Sequence, residues 1–226
     1  LGMGFVLTGI GGSLGINRGL SVDKLRTALY EGTLSSVLFV KNLQDNLDKV
    51  LENLSVYYPY ADNQYYFGFL AQISWGELLK ADLGLFIQGP NFKLIIAGEL
   101  SIKVTSSLDS LLSINVSFMG GIELSKGLFF DASIHDSKFV GLNLEGDIAL
   151  RIYWAGSTKG FVLSAGGFHP QYLPPEGFDL PAQMKRLSIG LKYSFVKMSL
   201  QAYFAITSNT VQFGARVDIK AESHGW

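Results

Sequence analysis

Asp131, Ser133, His135, Asp136 and Ser137 crowd the residue types of a Ser–His–Asp hydrolase into one short stretch. Their spacing argues against that chemistry. On an extended strand Asp131 and His135 face the same way but stand about 13 Å apart. A triad needs hydrogen-bond contact, near ~3 Å. The stretch reads better as a solvated strand face running into a turn. His169 is the second candidate, because Gly166-Gly167-Phe168-His169-Pro170 sits where a strand meets a proline-rich loop. It could serve as a ligand or catalytic group. The simpler expectation is structural: the imidazole hydrogen-bonds the loop backbone and fixes its path. Residues 166–170 are thus expected to be a structural loop motif.

Other chemistries find less support. His135, His169 and His224 lie far apart, and cysteine is absent. This excludes disulfides, thiolate metal sites and cysteine nucleophiles, and leaves none of the close ligand spacings of zinc helices. Gly9-Ile10-Gly11-Gly12-Ser13-Leu14 misses the dinucleotide fingerprint at Leu14, and no helix follows directly to cradle a phosphate. Glu99 with Lys103, and Glu145 with Arg151, read as surface charges. No catalytic residue, metal or cofactor is expected.

The elements that would carry such groups are mostly strands. Of 226 residues, 48% are hydrophobic and 16% charged, with 26 glycines and 16 phenylalanines. That balance excludes a disordered chain and suits a β protein with glycine-rich turns. The net charge is −1, with acidic and basic residues mixed. No basic stripe offers a footprint for nucleic acid. Strand-like sequence at both ends suggests a piece of a longer protein.

Near the N-terminus, Phe5, Val6 and Leu7 predict a short strand entering a glycine turn at residues 9–12. A helix capped around Ser21 carries Val22, Leu25, Ala28 and Leu29 and stops at Gly32. A second helix is expected from about Asn42, with Leu43, Leu47, Val50, Leu51 and Leu54 on one side. From Tyr65 onward the period is two. In residues 92–104, Leu94, Ile96, Leu100 and Ile102 alternate with Lys93, Glu99 and Lys103. Residues 142–154, 198–207 and 211–220 follow the same rule. Such alternation marks an antiparallel sheet with one dry and one wet face. Leu94, Ile96, Leu144, Ile148, Ile152, Phe204, Phe213 and Val217 are expected to be buried. Lys93, Lys103, Arg151, Gln201 and Lys220 are expected to be exposed. The proline-rich residues 168–177 form an excursion between strands.

Residues 163–170, followed by Pro174-Pro175 and Lys185-Arg186-Leu187, resemble an uncharacterised, mostly microbial family of large β-rich proteins, domain of unknown function 6603. Residues 8–12 with 15–18, Phe67-Gly68 with Ser74-Trp75-Gly76, and residues 203–210 with 212–216 are similar to the same family. The resemblance implies a β-rich part of a longer chain and carries no established activity or site.

These readings give a mainly β fold: a large antiparallel meander of about ten strands, as a curled sheet or open barrel. Two N-terminal helices should pack on its apolar face. Residues 1–60 would hold a strand and both helices, and 61–226 the sheet, as one structural unit. Helices of this size cannot cover so large an apolar face. The expected function is a non-enzymatic binding or scaffolding module with an apolar groove or cavity for lipid-like ligands, within a larger protein. The lining would be Phe67, Phe69, Leu94, Ile96, Phe118, Phe130, Leu144, Ile148, Phe204 and Phe213. The expected partners are the rest of a longer chain, other subunits or a hydrophobic ligand. The alternatives are an outer-membrane-type β-barrel, or an assembly module without ligand.

Overall fold

The computed structural model describes residues 4–39, 54–105, 110–174, 176–181, 183–193 and 196–221. It contains an 11-stranded antiparallel sheet. The elements run β1 (Val6–Arg18), α1 (Val22–Tyr30), α2 (Leu34–Leu38), β2 (Tyr60–Trp75), β3 (Leu79–Gly89), β4 (Lys93–Thr105), β5 (Ser110–Glu123) and β6 (Gly127–Phe139). They continue with β7 (Leu142–Tyr153), β8 (Gly160–Ala165), β9 (Leu187–Tyr193), β10 (Val196–Thr207) and β11 (Val211–Ala221). Each strand pairs with its predecessor in the chain, with one departure. The short β8 and β9 both lie between β7 and β10, end to end along them. Among the described residues β1 and β11 do not pair with each other, so the sheet is not a closed barrel.

The residues predicted as a short strand and a glycine turn form one long strand instead. β1 runs straight through its glycines, paired with β2. Gly15 shows why a glycine sits there. A Cβ on Gly15 would lie 2.2 Å from the Tyr66 ring, which crosses the strand at that point. Gly15 therefore admits a neighbouring side chain and does not turn the chain.

α1 forms where predicted. The Ser21 carbonyl accepts the Leu25 N–H at 3.0 Å, while the Ser21 side chain makes no capping bond. Gly32, at φ +70°, ends the helical path in the left-handed conformation that favours glycine. α2 was not anticipated. The helix expected from Asn42 lies outside the described residues, apart from a helical turn at 54–57.

The main correction concerns the faces. Leu25, Leu29 and Leu34 pack with Tyr66, Phe86, Ile95, Ala97 and Met119. Ile95 and Ala97 belong to the set that alternates with the apolar one, alongside Lys93 and Glu99. The helices thus cover the mixed face of the sheet, not the uniformly apolar one. Ile152, Phe204, Val217 and Phe213, expected to be buried, are 38%, 40%, 59% and 80% exposed, and Ile96 is exposed too. Leu94, Leu144 and Ile148 are half-buried. Arg151, expected on the surface, is wholly buried; Lys93 and Gln201 are half-buried, while Lys103 and Lys220 are exposed. Alternation determines which residues share a face, because the side-chain period is two. It does not determine which face water sees. Here the mixed face holds enough apolar side chains to receive the helices, and charged groups such as Arg151 and Asp131 pair there.

Candidate functional site

The register of the sheet assembles the apolar face into rows that run across the strands. One row is Gly12, Phe69, Leu85, Ile96, Gly120, Phe130, Leu150, Leu163, Ile206 and Val211, each paired with the next. The adjacent row is Ile10, Ala71, Leu83, Gly98, Phe118, Ala132, Ile148, Ala165, Phe204 and Phe213. A third contains Leu14, Phe67, Ile87, Leu94, Ile122, Leu128, Ile152 and Phe161. None of these positions carries a charge or a hydrogen-bonding side chain. Both rows that reach β11 cross every strand except β9. Directly opposed side chains stand about 5 Å apart, so each row is a continuous hydrocarbon band.

All ten residues expected to line an apolar site lie on this face. Nine occupy the three rows, and Leu144 pairs with Ile189 of β9 further along β7. Residues not singled out from sequence share the face, including Leu85 and Ile87, which are about as exposed as Phe69. Their alternation was legible, but their short runs gave no reason to separate them from core. Among the described residues no element packs over this face.

The opposite face is a buried polar layer. Asp131 receives Arg26 Nε at 2.9 Å, the Tyr30 hydroxyl at 3.1 Å and Arg151 Nη2 at 3.1 Å. The Phe129 ring lies near both guanidiniums, 5.5 Å from that of Arg26 and 5.7 Å from that of Arg151. Burial, reinforced by the negative charge of Asp131, pushes the Tyr30 hydroxyl far up from its ordinary pKa. Arg151 thus pairs with Asp131, and Glu145 instead accepts a hydrogen bond from Ser188. Glu99 is half-buried, not a free surface charge. Desolvation there pushes its pKa up, against the opposing pull of His135.

The residues with triad types are dispersed. His135 Nε2 lies 2.9 Å from Ser117 Oγ, a contact not anticipated, but Ser117 is wholly buried and cannot meet a substrate. Ser133 donates to Asp147, and Ser137 bonds main-chain atoms. Asp136 is exposed beside His135. Among the described residues, no three acidic or histidine side chains gather in a way that could hold a metal ion. No described helix is long and apolar enough to cross a membrane, which says nothing of strands.

The proline-rich excursion is clasped at both ends by one residue. The Asp147 carbonyl accepts the Gly166 N–H at 2.8 Å, its own N–H donates to the Lys185 carbonyl at 3.2 Å, and Oδ2 accepts the Lys185 N–H at 2.7 Å. Burial pushes the Asp147 carboxyl pKa up, opposed by the bonds from Lys185 and Ser133. Arg186 donates to the carbonyls of Gly166 and Phe168. Within the excursion His169 Nδ1 accepts the Gln171 N–H at 3.2 Å, and the His169 N–H donates to Gln212.

The whole chain, residues 1–226, matches the family of unknown function DUF6603, and the protein belongs to that family. No curated protein and no solved structure matches it.

Proposed function

We propose that this chain is a non-enzymatic lipid-binding module whose unbroken apolar sheet face receives aliphatic chains. The observation that carries this reading is the set of apolar rows spanning the sheet. Soluble proteins seldom leave more than a few hundred Å² of contiguous apolar surface open to water. A protein partner is a poorer match than hydrocarbon. Protein interfaces carry about one hydrogen bond per 100–200 Å², and these rows offer no side chain to make one. An acyl chain needs none, and each methylene buried contributes about 0.8 kcal/mol. The sense of the faces favours a second reading, a membrane-embedded sheet. An apolar face turned outward and a polar face turned toward the helices is the arrangement of an outer-membrane barrel wall. Against it, β1 and β11 do not pair with each other among the described residues.

The test is organic extraction of the purified protein followed by mass spectrometry, then titration of the delipidated protein with a fluorescent fatty acid. The expected result is co-purifying lipid and saturable rebinding, lost in Ile96→Asp. Delipidated protein that stays monodisperse and binds no acyl chain would overturn the reading. Extraction from cells only with detergent, as an integral membrane component, would favour the second.

A further inference from the structure

On the mixed face, at the far edge of the sheet, lies a cleft of about 400 Å³ whose lining includes His169, Arg186, Gln201, Tyr203, Gly214 and Arg216. We propose that this cleft binds a phosphoryl group, as a phosphate monoester. The argument starts from the register. Tyr203 pairs with Gly214, and Gln201 with Arg216, so these four share the inward face of β10 and β11. A Cβ on Gly214 would fall 2.4 Å from the Tyr203 ring, so the missing side chain is what lets the ring lie flat there. That ring is a platform. The Arg186 guanidinium lies 4.3 Å above its centroid, and the His169 ring meets it edge-on at 6.3 Å.

Arg186 is pre-positioned. The Gly166 and Phe168 carbonyls hold it at 2.7 and 2.8 Å, which uses only part of its five-donor fork. Among the described residues it has no carboxylate partner. His169 is also fixed. Its Nδ1 accepts the Gln171 N–H, so in the neutral ring the proton sits on Nε2, which remains a donor. Arg216 is exposed, and its Nε and Nη2 both donate to Asp218 Oδ1, at 2.9 and 2.7 Å, which leaves Nη1 for a ligand. The cleft therefore gathers two guanidiniums and an imidazole N–H from three separate segments, with no acid among its lining residues. Donors arriving from several directions suit a tetrahedral oxyanion better than a planar carboxylate, and arginine forks match phosphate oxygens. The cleft lies on the face opposite the apolar rows and does not depend on them.

The same chemistry is offered by a soluble phosphate ester and by a lipid headgroup. The experiment therefore titrates the purified chain by calorimetry with glycerol 3-phosphate, and in parallel measures flotation with phosphatidic acid and phosphatidylcholine vesicles. We expect glycerol 3-phosphate to bind with a Kd below about 1 mM. Arg216→Gln, which removes an exposed guanidinium and its pairing with Asp218, should weaken binding about tenfold. Arg186→Lys, which keeps the charge but loses the planar fork, should weaken it similarly and also lower the melting temperature, because the fork holds the Gly166 and Phe168 carbonyls, so the decisive variant is Arg216→Gln. Glycerol 3-phosphate binding with no preference between vesicles identifies a soluble ester. Flotation with phosphatidic acid alone, sensitive to Arg216→Gln, identifies a headgroup. No saturation by either probe, or binding indifferent to Arg216→Gln, overturns the site.

Discussion

Arg151 Nη2 lies 2.9 Å from Asp131 Oδ1, and both side chains are wholly buried. They are not directly opposed. Arg151 pairs across the strands with Phe129, and Asp131 with Ala149, so the ion pair is diagonal. Removing one member of such a pair leaves an uncompensated buried charge, at a cost of about 3–5 kcal/mol. Asp131→Ala leaves the buried Arg151 without a carboxylate, while Arg26 keeps Asp23, and should reach that range. Arg151→Met should cost less, because Arg26 and Tyr30 still hold the carboxylate. Urea unfolding of both variants checks the order, and a larger loss for Arg151→Met would contradict it.

The two faces give a sharper test. Ile96 and Ala97 are neighbours in β4; Ile96 points to the open apolar face and Ala97 is wholly buried beneath the helices. Ile96→Asp should leave the folding stability of the lipid-free protein within about 1 kcal/mol, since surface changes are small. Ala97→Asp buries an unpaired carboxylate and should abolish folding or cost several kcal/mol. Thermal melts of the two variants decide it. The opposite ranking would mean that the faces are reversed.

The strand pattern was legible because each face repeats every second residue. The rows through Ile96 and Phe118 follow directly from it. The orientation was not legible, because Ile95, Ala97, Met119, Ala149 and Val162 are spread among Lys93, Glu99, Asp131 and Arg151 on the other face. In sequence those charges look solvated. In the fold, Asp131 gathers Arg26 across 105 residues of chain and Arg151 across 20. No local signal encodes such a meeting. The Arg186–Tyr203 platform is hidden for the same reason, since a loop end and a strand meet only after the sheet has formed. Likewise the glycines of β1 look like a turn until the cross-strand neighbours are seen, with Gln72 against Gly9, Leu70 against Gly11 and Tyr66 against Gly15.

Asp147 should make stability depend on pH in a particular sense. Burial raises its pKa in the folded state, and Glu99 shifts the same way. A carboxyl with a raised folded pKa binds its proton more tightly folded than unfolded. Its contribution to stability therefore grows as pH falls from neutral through the raised pKa. Asp179 acts oppositely. Burial works against its charge, but the Lys126 hydrogen bond and charge outweigh it and hold the pKa down, so its contribution is lost at lower pH. Stability should rise on mild acidification from neutral and fall once Asp179 and other paired acids protonate. Asp147→Asn should flatten the rise. Chemical denaturation from pH 7 to pH 4 measures it, and a monotonic loss on acidification in the wild type would refute it.

His169 should matter less to folding than Asp147, although both hold the same excursion. The two differ in burial and in the number of strands of chain they join. Asp147 bonds Gly166 at one end and Lys185 at the other, and its side chain is buried. The His169 ring is exposed and makes one local bond, to the Gln171 N–H two residues on. Water can replace that bond when the ring is removed, because nothing seals it from solvent. His169→Ala is therefore expected to cost no more than about 1 kcal/mol, the usual net value of one hydrogen bond. Asp147→Ala keeps the main-chain bonds but leaves the Ser133 hydroxyl and the Lys185 N–H without their acceptor in a dry site. It should cost about 2–3 kcal/mol, counting each orphaned donor. A double variant adds nothing beyond the sum if the two act separately, and their coupling measures how far the excursion behaves as one unit. A loss for His169→Ala equal to that of Asp147→Ala would show that the imidazole does more than brace its own turn.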